Sequence, residues 1–161
     1  MYVAKWHFCD INECKTSFMF KGESARLAYL AGFFDGEGCI TIIKGKNHLG
    51  NVQYSLRAIV SNTNDYVLHL YKLSFGGRIQ KRKYKKPEWR DCYAWELSST
   101  RAYDFLKCVY PYLTIKKAQA DLAFEFQENQ SKYDGSNLKL SDEELSIREA
   151  QRILIQDLKR R

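Results

Sequence analysis

A chain of 161 residues can enclose one hydrophobic core, and 45% apolar content excludes a disordered tail or a low-complexity array. Lys and Arg number 26 against 19 acidic residues, a net charge of +7, which favours a polyanionic partner because each neutralised phosphate releases counterions. No apolar run of membrane length and no secretory leader is visible, and the scattered cysteines (Cys9, Cys14, Cys39, Cys92, Cys108) fit a reducing intracellular setting, the cytoplasm of a prokaryote or an organelle.

Residues 1–23 read as an N-terminal lead folded against the domain. His7, Cys9 and Cys14 lack paired ligand spacing and a fourth ligand, so no zinc site is expected there. The first periodic segment runs from Ser24, a residue able to cap a helix, to about Gly36. Leu27, Leu30 and Phe34 mark one face, and Ala25, Ala28, Gly32 and Gly36 line another with small side chains. Cys39–Lys44 then reads as a short β-branched strand, and Asn47–Asn51 as a turn. Val52–Ser61 alternates Val, Tyr, Leu, Ala and Val against Gln53, Ser55, Arg57, Ile59 and Ser61, as expected of a sheet packed on one side only.

Thr63 or Asn64 is placed to cap a second helix, Asp65–Ser74, with Val67, Leu70 and Leu73 expected inward and Gly76 and Gly77 ending it. Arg78–Tyr84 and Arg90–Ser98 form a second predicted hairpin around Lys85, Lys86 and Pro87. Helices follow over Thr100–Val109 and Lys116–Gln130. Asp134–Asn137 breaks the pattern, and Ser141 with Glu144 makes a capping box for a last helix carrying Ile147, Ala150, Leu154 and Leu158 toward Arg161. The expectation is an α+β fold with an αββαββα core over residues 24–131 and an antiparallel sheet open on one face. A C-terminal loop and helix follow over 132–161.

Leu30–Gly38 reads LAGFFDGEG. Gly32 and Gly36 in a helix interior cost roughly 2 kcal/mol together relative to Ala, a cost that close approach of a second helix could offset. Asp35 and Glu37 fall where this helix ends. If two such helices paired side by side, their carboxylates would meet, and paired carboxylates on a basic protein suggest oxygen ligation of a hard divalent cation.

The segment resembles the LAGLIDADG motif of homing endonucleases at Leu30, Ala31, Gly32, Asp35 and Gly38, with Glu37 at the final acidic position. The element order is similar too, as is YPYLTIKKAQADL (Tyr110–Leu122), and the likeness extends over roughly Ser24–Gln130. Only one copy of the motif is present. The resemblance therefore implies the single-motif branch, whose members act as homodimers on long, near-palindromic double-stranded DNA through a saddle-shaped sheet. The implied reaction is hydrolysis of phosphodiesters with Mg²⁺ or another divalent ion such as Mn²⁺, leaving short 3′ overhangs.

Carried onto this chain, Glu37 is the implied metal carboxylate, with the Gly36 carbonyl beside it. Lys116 is the basic residue near the scissile phosphate, and Asn62 falls where a polar residue orients water. A basic residue frequent slightly further on in the family is here Tyr66, which departs from the pattern. The implied dimer interface takes Leu27, Ala28, Ala31, Gly32 and Asp35, although Asp35 also suits bonding to backbone at the helix ends.

Strand parity nominates Thr41, Gln53, Ser55, Arg57, Gln80, Arg82 and Tyr84 to face the DNA groove. Lys81, Lys83, Lys85 and Lys86 are expected to meet phosphate, with Lys44, Lys46, Asn47 and His48 of the first hairpin as similar candidates. Two other functions use the same fold: an RNA maturase assisting group I intron splicing, with intron RNA as partner, and a DNA-binding protein that does not cleave. Glu37 and Lys116 weigh against a purely non-catalytic role.

Overall fold

The computed structural model describes residues 22–82, 91–131 and 140–159. Helix α1 (Glu23–Glu37) leads directly into β1 (Gly38–Lys46), which turns back into β2 (Val52–Asn62). Helix α2 (Tyr66–Phe75) precedes the hairpin strands β3 (Arg78–Arg82) and β4 (Cys92–Ser98). Then come α3 (Ser99–Val109), a short 3₁₀ turn (Tyr110–Tyr112), α4 (Lys117–Ser131) and α5 (Asp142–Asp157). The four strands form one antiparallel sheet in the order β1-β2-β4-β3, so β2 and β4 are central.

Alternation decides what each face of the sheet does. Ile40, Ile42, Tyr54, Leu56, Ala58, Val60, Trp95 and Leu97 are buried under the helices. Beneath them lies an aromatic cluster: Tyr71 and Trp95 have ring centroids 4.8 Å apart, as do Phe75 and Phe105, and Phe34 stands 5.0 Å from Phe105. Each polar handle in the cluster has a partner. The Tyr71 hydroxyl donates to the Leu30 carbonyl at 2.5 Å, and Trp95 Nε1 donates to the Gly76 carbonyl at 2.8 Å. Full burial of such side chains stabilises by about 1.5–3 kcal/mol each, so this cluster anchors α1, α2 and α3 on the sheet.

Several sequence expectations are corrected at helix ends and faces. Helix α1 starts at Glu23, so Ser24 lies within it and the N-cap position is Gly22, which has no side chain to cap with. Helix α2 starts at Tyr66, with the Asn64 side chain accepting from the Tyr66 amide at 3.0 Å. Its buried residues are Val67, Leu68, Leu70 and Tyr71, while Leu73 is 63% exposed. The helical turn carries Leu73 too far round to share their face.

The Ser141 hydroxyl accepts from the Glu144 amide at 3.2 Å, one half of the expected capping box. The Glu144 carboxylate is turned instead to Arg148, 2.7 Å away in a largely buried pair. Helix α5 buries Arg148, Gln151 and Ile155; of its expected stripe, Ile147, Ala150 and Leu154 are exposed and Leu158 packs against the core. The expected zinc-free lead at His7, Cys9 and Cys14 lies outside the described residues. No described helix is long and apolar enough to cross a membrane.

Glycine 38, the last residue of the LAGFFDGEG segment, is needed for close approach. A Cβ there would overlap the Phe34 carbonyl and ring, so the turn from α1 into β1 admits no side chain. At the other end of β1, the Glu149 carboxylate of α5 accepts from Tyr54 at 2.7 Å and pairs with Lys44 at 3.2 Å and Arg152 at 2.6 Å.

Arg152, then Tyr54 and Lys44, hold the Glu149 carboxyl down at about 2. Because the folded value lies below the unfolded one near 4.5, this contribution to stability is complete above that pH and lost as pH falls toward 2. Glu149→Gln is therefore expected to lower the urea midpoint near neutrality. Its difference from wild type should close in a series of unfolding curves taken from pH 5 down to about 2.

Candidate active site and nucleic-acid interface

The junction of α1 with the segment before α4 is built on Asp35. This carboxylate is 8% exposed, and its Oδ2 accepts from the backbone amides of Thr114 at 2.6 Å and Ile115 at 3.2 Å. Its Oδ1 accepts from the Lys116 amide at 3.0 Å. Asp35 thus bonds to backbone between helices, as its position at the helix end suggested. The expectation that it lies in a dimer interface is corrected, because its side chain is consumed within the chain. Ala31 is corrected likewise, since it is fully buried in the protomer's own core. Leu27 is half-buried, and Ala28 and Gly32 are exposed.

Lys116 is brought to the same place from the opposite side. Its Nζ donates to the Asp35 carbonyl at the end of α1, and the residue is largely buried. Burial pulls its pKa below the ordinary lysine value, opposed first by Asp35 and then by Cys39 and Glu37. The carboxylate of Glu37 is exposed at the C-terminus of α1, next to the Gly36 peptide. Asn62 ends β2, two residues beyond Val60, the register partner of Gly38. Its side-chain oxygen accepts from the Asn64 amide at 2.8 Å, so that oxygen shapes the β2–α2 turn. Tyr66 is exposed at the start of α2.

The second face of the sheet is open. Register places Thr41 opposite Arg57, Ser55 opposite Ile43 and Gln53 opposite Gly45, all on this face. Across β4 and β3 it continues through Glu96, Ala94 and Cys92 opposite Arg78, Gln80 and Arg82. Thr41, Gln53, Ser55, Arg57, Gln80 and Arg82 therefore share one surface, as strand alternation predicts. Tyr84, Lys85 and Lys86 lie outside the described residues, with Lys83.

Lys44 is a correction. Its parity is that of Ile40 and Ile42, so it stands on the helix side, paired with Glu149 and over the Tyr54 ring. Lys81 is also on the helix side, 2.5 Å from Asp91. Asn47 holds the first hairpin turn, its side chain accepting from Leu49 at 3.0 Å and Asn51 at 2.9 Å, whereas His48 is exposed.

Three open-face features were not singled out from the sequence. Glu96 pairs with Arg57. Arg78 lies against the Gln80 amide, whose oxygen accepts from it once the amide is oriented to hydrogen-bond. Ser99, at φ 50 the one described non-glycine residue with positive φ, meets the Ser55 hydroxyl at 3.3 Å. Alternation in Cys92–Ser98 could have shown Glu96; the strain at Ser99 has no sequence signature.

Known proteins bear on this geometry in two ways. Residues 30–119 match the family model described as LAGLIDADG endonuclease. The DNA endonuclease I-CvuI of Chlorella vulgaris is 31% identical over 108 residues, an alignment that spans 64% of this chain and 64% of that protein. Among solved structures, I-CvuI in complex with its target in the presence of calcium superposes with a TM-score of 0.65 at 21% identity, covering 83% of this chain and 81% of that one. The homing endonuclease I-TnaI gives 0.63 at 18% identity, covering 83% and 93%. The family match takes in the four strands of the sheet and the end of α1 with Asp35 and Glu37, and it spans more than half of the sequence. The chain belongs to the LAGLIDADG endonuclease family.

Proposed function

We propose that this chain is a site-specific double-strand DNA endonuclease that acts as a homodimer on a long, near-palindromic site. The observation that carries the proposal is the placement of Glu37 and Lys116. A buried ammonium is fixed by the Asp35 network at the end of α1 that carries the exposed Glu37 carboxylate, where β1 enters the sheet. Relatives solved with DNA, including I-CvuI with its target, support the choice of polymer.

Divalent metal fits this site only as a shared one. Among the described residues no group of three or more His, Cys, Asp or Glu could hold an ion. Asp35 is occupied by backbone amides, which leaves Glu37 with the Gly36 carbonyl as the donors one copy can offer. A second copy pairing through α1 would contribute a second Glu37. Mg²⁺ or a similar hard cation, when bound there, would offset phosphate charge. The structures of I-CvuI solved with calcium and with magnesium support divalent metal in this role.

The chain's own residues then divide the work. Glu37 holds the metal, Lys116 places positive charge toward the developing phosphate charge, and Asp35 keeps Lys116 in place. Asn62 is assigned to orient water through its amide nitrogen. Thr41, Gln53, Ser55, Arg57, Gln80 and Arg82 read the major groove, where Arg pairs with guanine and Gln with adenine.

Pairing through α1 rests on its exposed small face. A Cβ at Gly32 or Gly36 meets nothing within 4 Å inside the protomer, so neither glycine is required by the chain's own packing. Sedimentation at micromolar concentration is expected to give a dimer for wild type and a folded monomer for Gly32→Leu. A monomeric wild type would remove the shared site.

The catalytic assignment is tested with purified protein, Mg²⁺ and DNA carrying candidate sites. Glu37→Gln is expected to retain binding and lose cleavage. Lys116→Met is expected to retain binding and cut more slowly, by a factor on the order of 10². Binding without any cutting by wild type would leave a DNA-binding protein of this fold. Near wild-type cutting by either variant would refute its assignment.

A further inference from the structure

We infer that Glu96 is a specificity-determining residue of the open sheet face, one that orients Arg57 toward guanine while holding down affinity for DNA in general. The inference rests on the proposed DNA-binding function and deepens it. Glu96 is the only acidic side chain that register places on this face among the described strand residues. It lies on the central strand β4, diagonal to Arg57 of β2, whose direct partner is Ser98, and directly opposite Arg78 of β3.

Its position is enclosed rather than peripheral. The Glu96 side chain is 15% exposed and that of Arg57 33% exposed, and Arg57 Nη1 donates to Glu96 Oε1. Arg57 Nε is buried with no hydrogen-bond partner among the described residues. On one flank the strained Ser99 ties its hydroxyl to Ser55. On the other, Arg78 lies against Gln80.

A carboxylate on a surface built to meet phosphates and base edges opposes binding to every sequence alike, by simple repulsion. What it supplies in return is direction. A free arginine samples many rotamers and can contact phosphate from most of them. One whose Nη1 is held by a carboxylate presents a fixed guanidinium plane, with the remaining N–H groups aimed away from the partner. Bidentate contact with guanine O6 and N7 needs that planar fork, whereas phosphate contact does not. Glu96 is therefore a positioning residue that acts through Arg57, and its loss should exchange discrimination for affinity.

The test is binding of the full-length protein to a randomised site library at two salt concentrations, for wild type, Glu96→Gln, Arg57→Ala and the double variant. Wild type is expected to prefer guanine at one position in each half-site, and Arg57→Ala to erase that preference. Glu96→Gln should weaken it at the same position by about 5-fold or more, the lower bound of a bidentate contact. The same variant should bind non-specific DNA more tightly, with preferences elsewhere unchanged. In the Arg57→Ala background, Glu96→Gln should leave that position as it is. Glu96→Asp, which keeps the charge but shortens the reach, should retain the weaker binding to non-specific DNA and still blur the guanine preference.

If Glu96→Gln leaves the guanine preference intact or sharpens it, Glu96 merely masks Arg57 and the inference is overturned. A change confined to positions that Arg57→Ala does not affect overturns it equally. Absence of sequence preference in wild type would instead refute the DNA-reading function on which the inference stands. Thermal midpoints of all variants separate these outcomes from misfolding, with Glu96→Asp carrying the test should Glu96→Gln fail to fold.

Discussion

The Asp35 carboxylate is the interaction on which the rest depends. It gathers the amides of Thr114, Ile115 and Lys116 at the end of α1, on a segment that has no helix or strand of its own to satisfy them. Hydrogen bonds to a charged acceptor contribute about 1.5–3 kcal/mol each, and an unpaired buried amide costs a comparable amount. The consequence is geometric as well as energetic. Once these amides are held, the Lys116 side chain returns to the Asp35 carbonyl, and Glu37 is left exposed beyond it. Gly38 closes the junction by letting β1 leave the helix against Phe34. One acid of the motif is thereby consumed by backbone amides, and the next is the exposed carboxylate proposed to hold metal.

The sheet carries the second constraint. A four-stranded antiparallel sheet with helices on one side must place every second residue outward, and here the charged members of the outward set are arginines except for Glu96. On the helix side, cations are neutralised locally: Lys44 by Glu149 and Lys81 by Asp91. On the open side, Arg82 forms no ion pair among the described residues, and Arg57 has the single acid. Arg78 and Arg82 thus stand without an ion pair among the described residues on the surface proposed to meet DNA.

Much of this was legible in the sequence because period and parity are local properties. The alternation of Val52–Ser61 correctly assigned both faces of β2, and the order of helices and strands followed from breakers such as Gly76 and Gly77. What failed depended on partners far along the chain. Asp35 and Ala31 were expected at a dimer interface, but the segment at Thr114 and the protomer's own core cover them. Sequence position groups Lys44 with its hairpin neighbours, whereas its parity with Ile42 and the carboxylate of Glu149, distant in sequence, hold it on the other side. Leu73 and the stripe Ile147–Leu154 are apolar residues that helical rotation leaves in solvent. Glu96 is hard to find from sequence, because an acid runs against the basic pattern that marks a DNA-facing strand.

The central claim is that Asp35 holds the proposed catalytic junction together, and amide hydrogen exchange measures it most directly. In wild type, Thr114, Ile115 and Lys116 should be protected to a degree comparable with the buried turns of α1, despite preceding α4. Asp35→Asn retains one acceptor oxygen and sets an amide N–H₂ against the others. It should speed exchange at these residues selectively and slow DNA cleavage while binding persists. Unprotected amides at Thr114–Lys116 in wild type, or an Asp35→Asn protein with unchanged exchange and unchanged cleavage, would contradict the account.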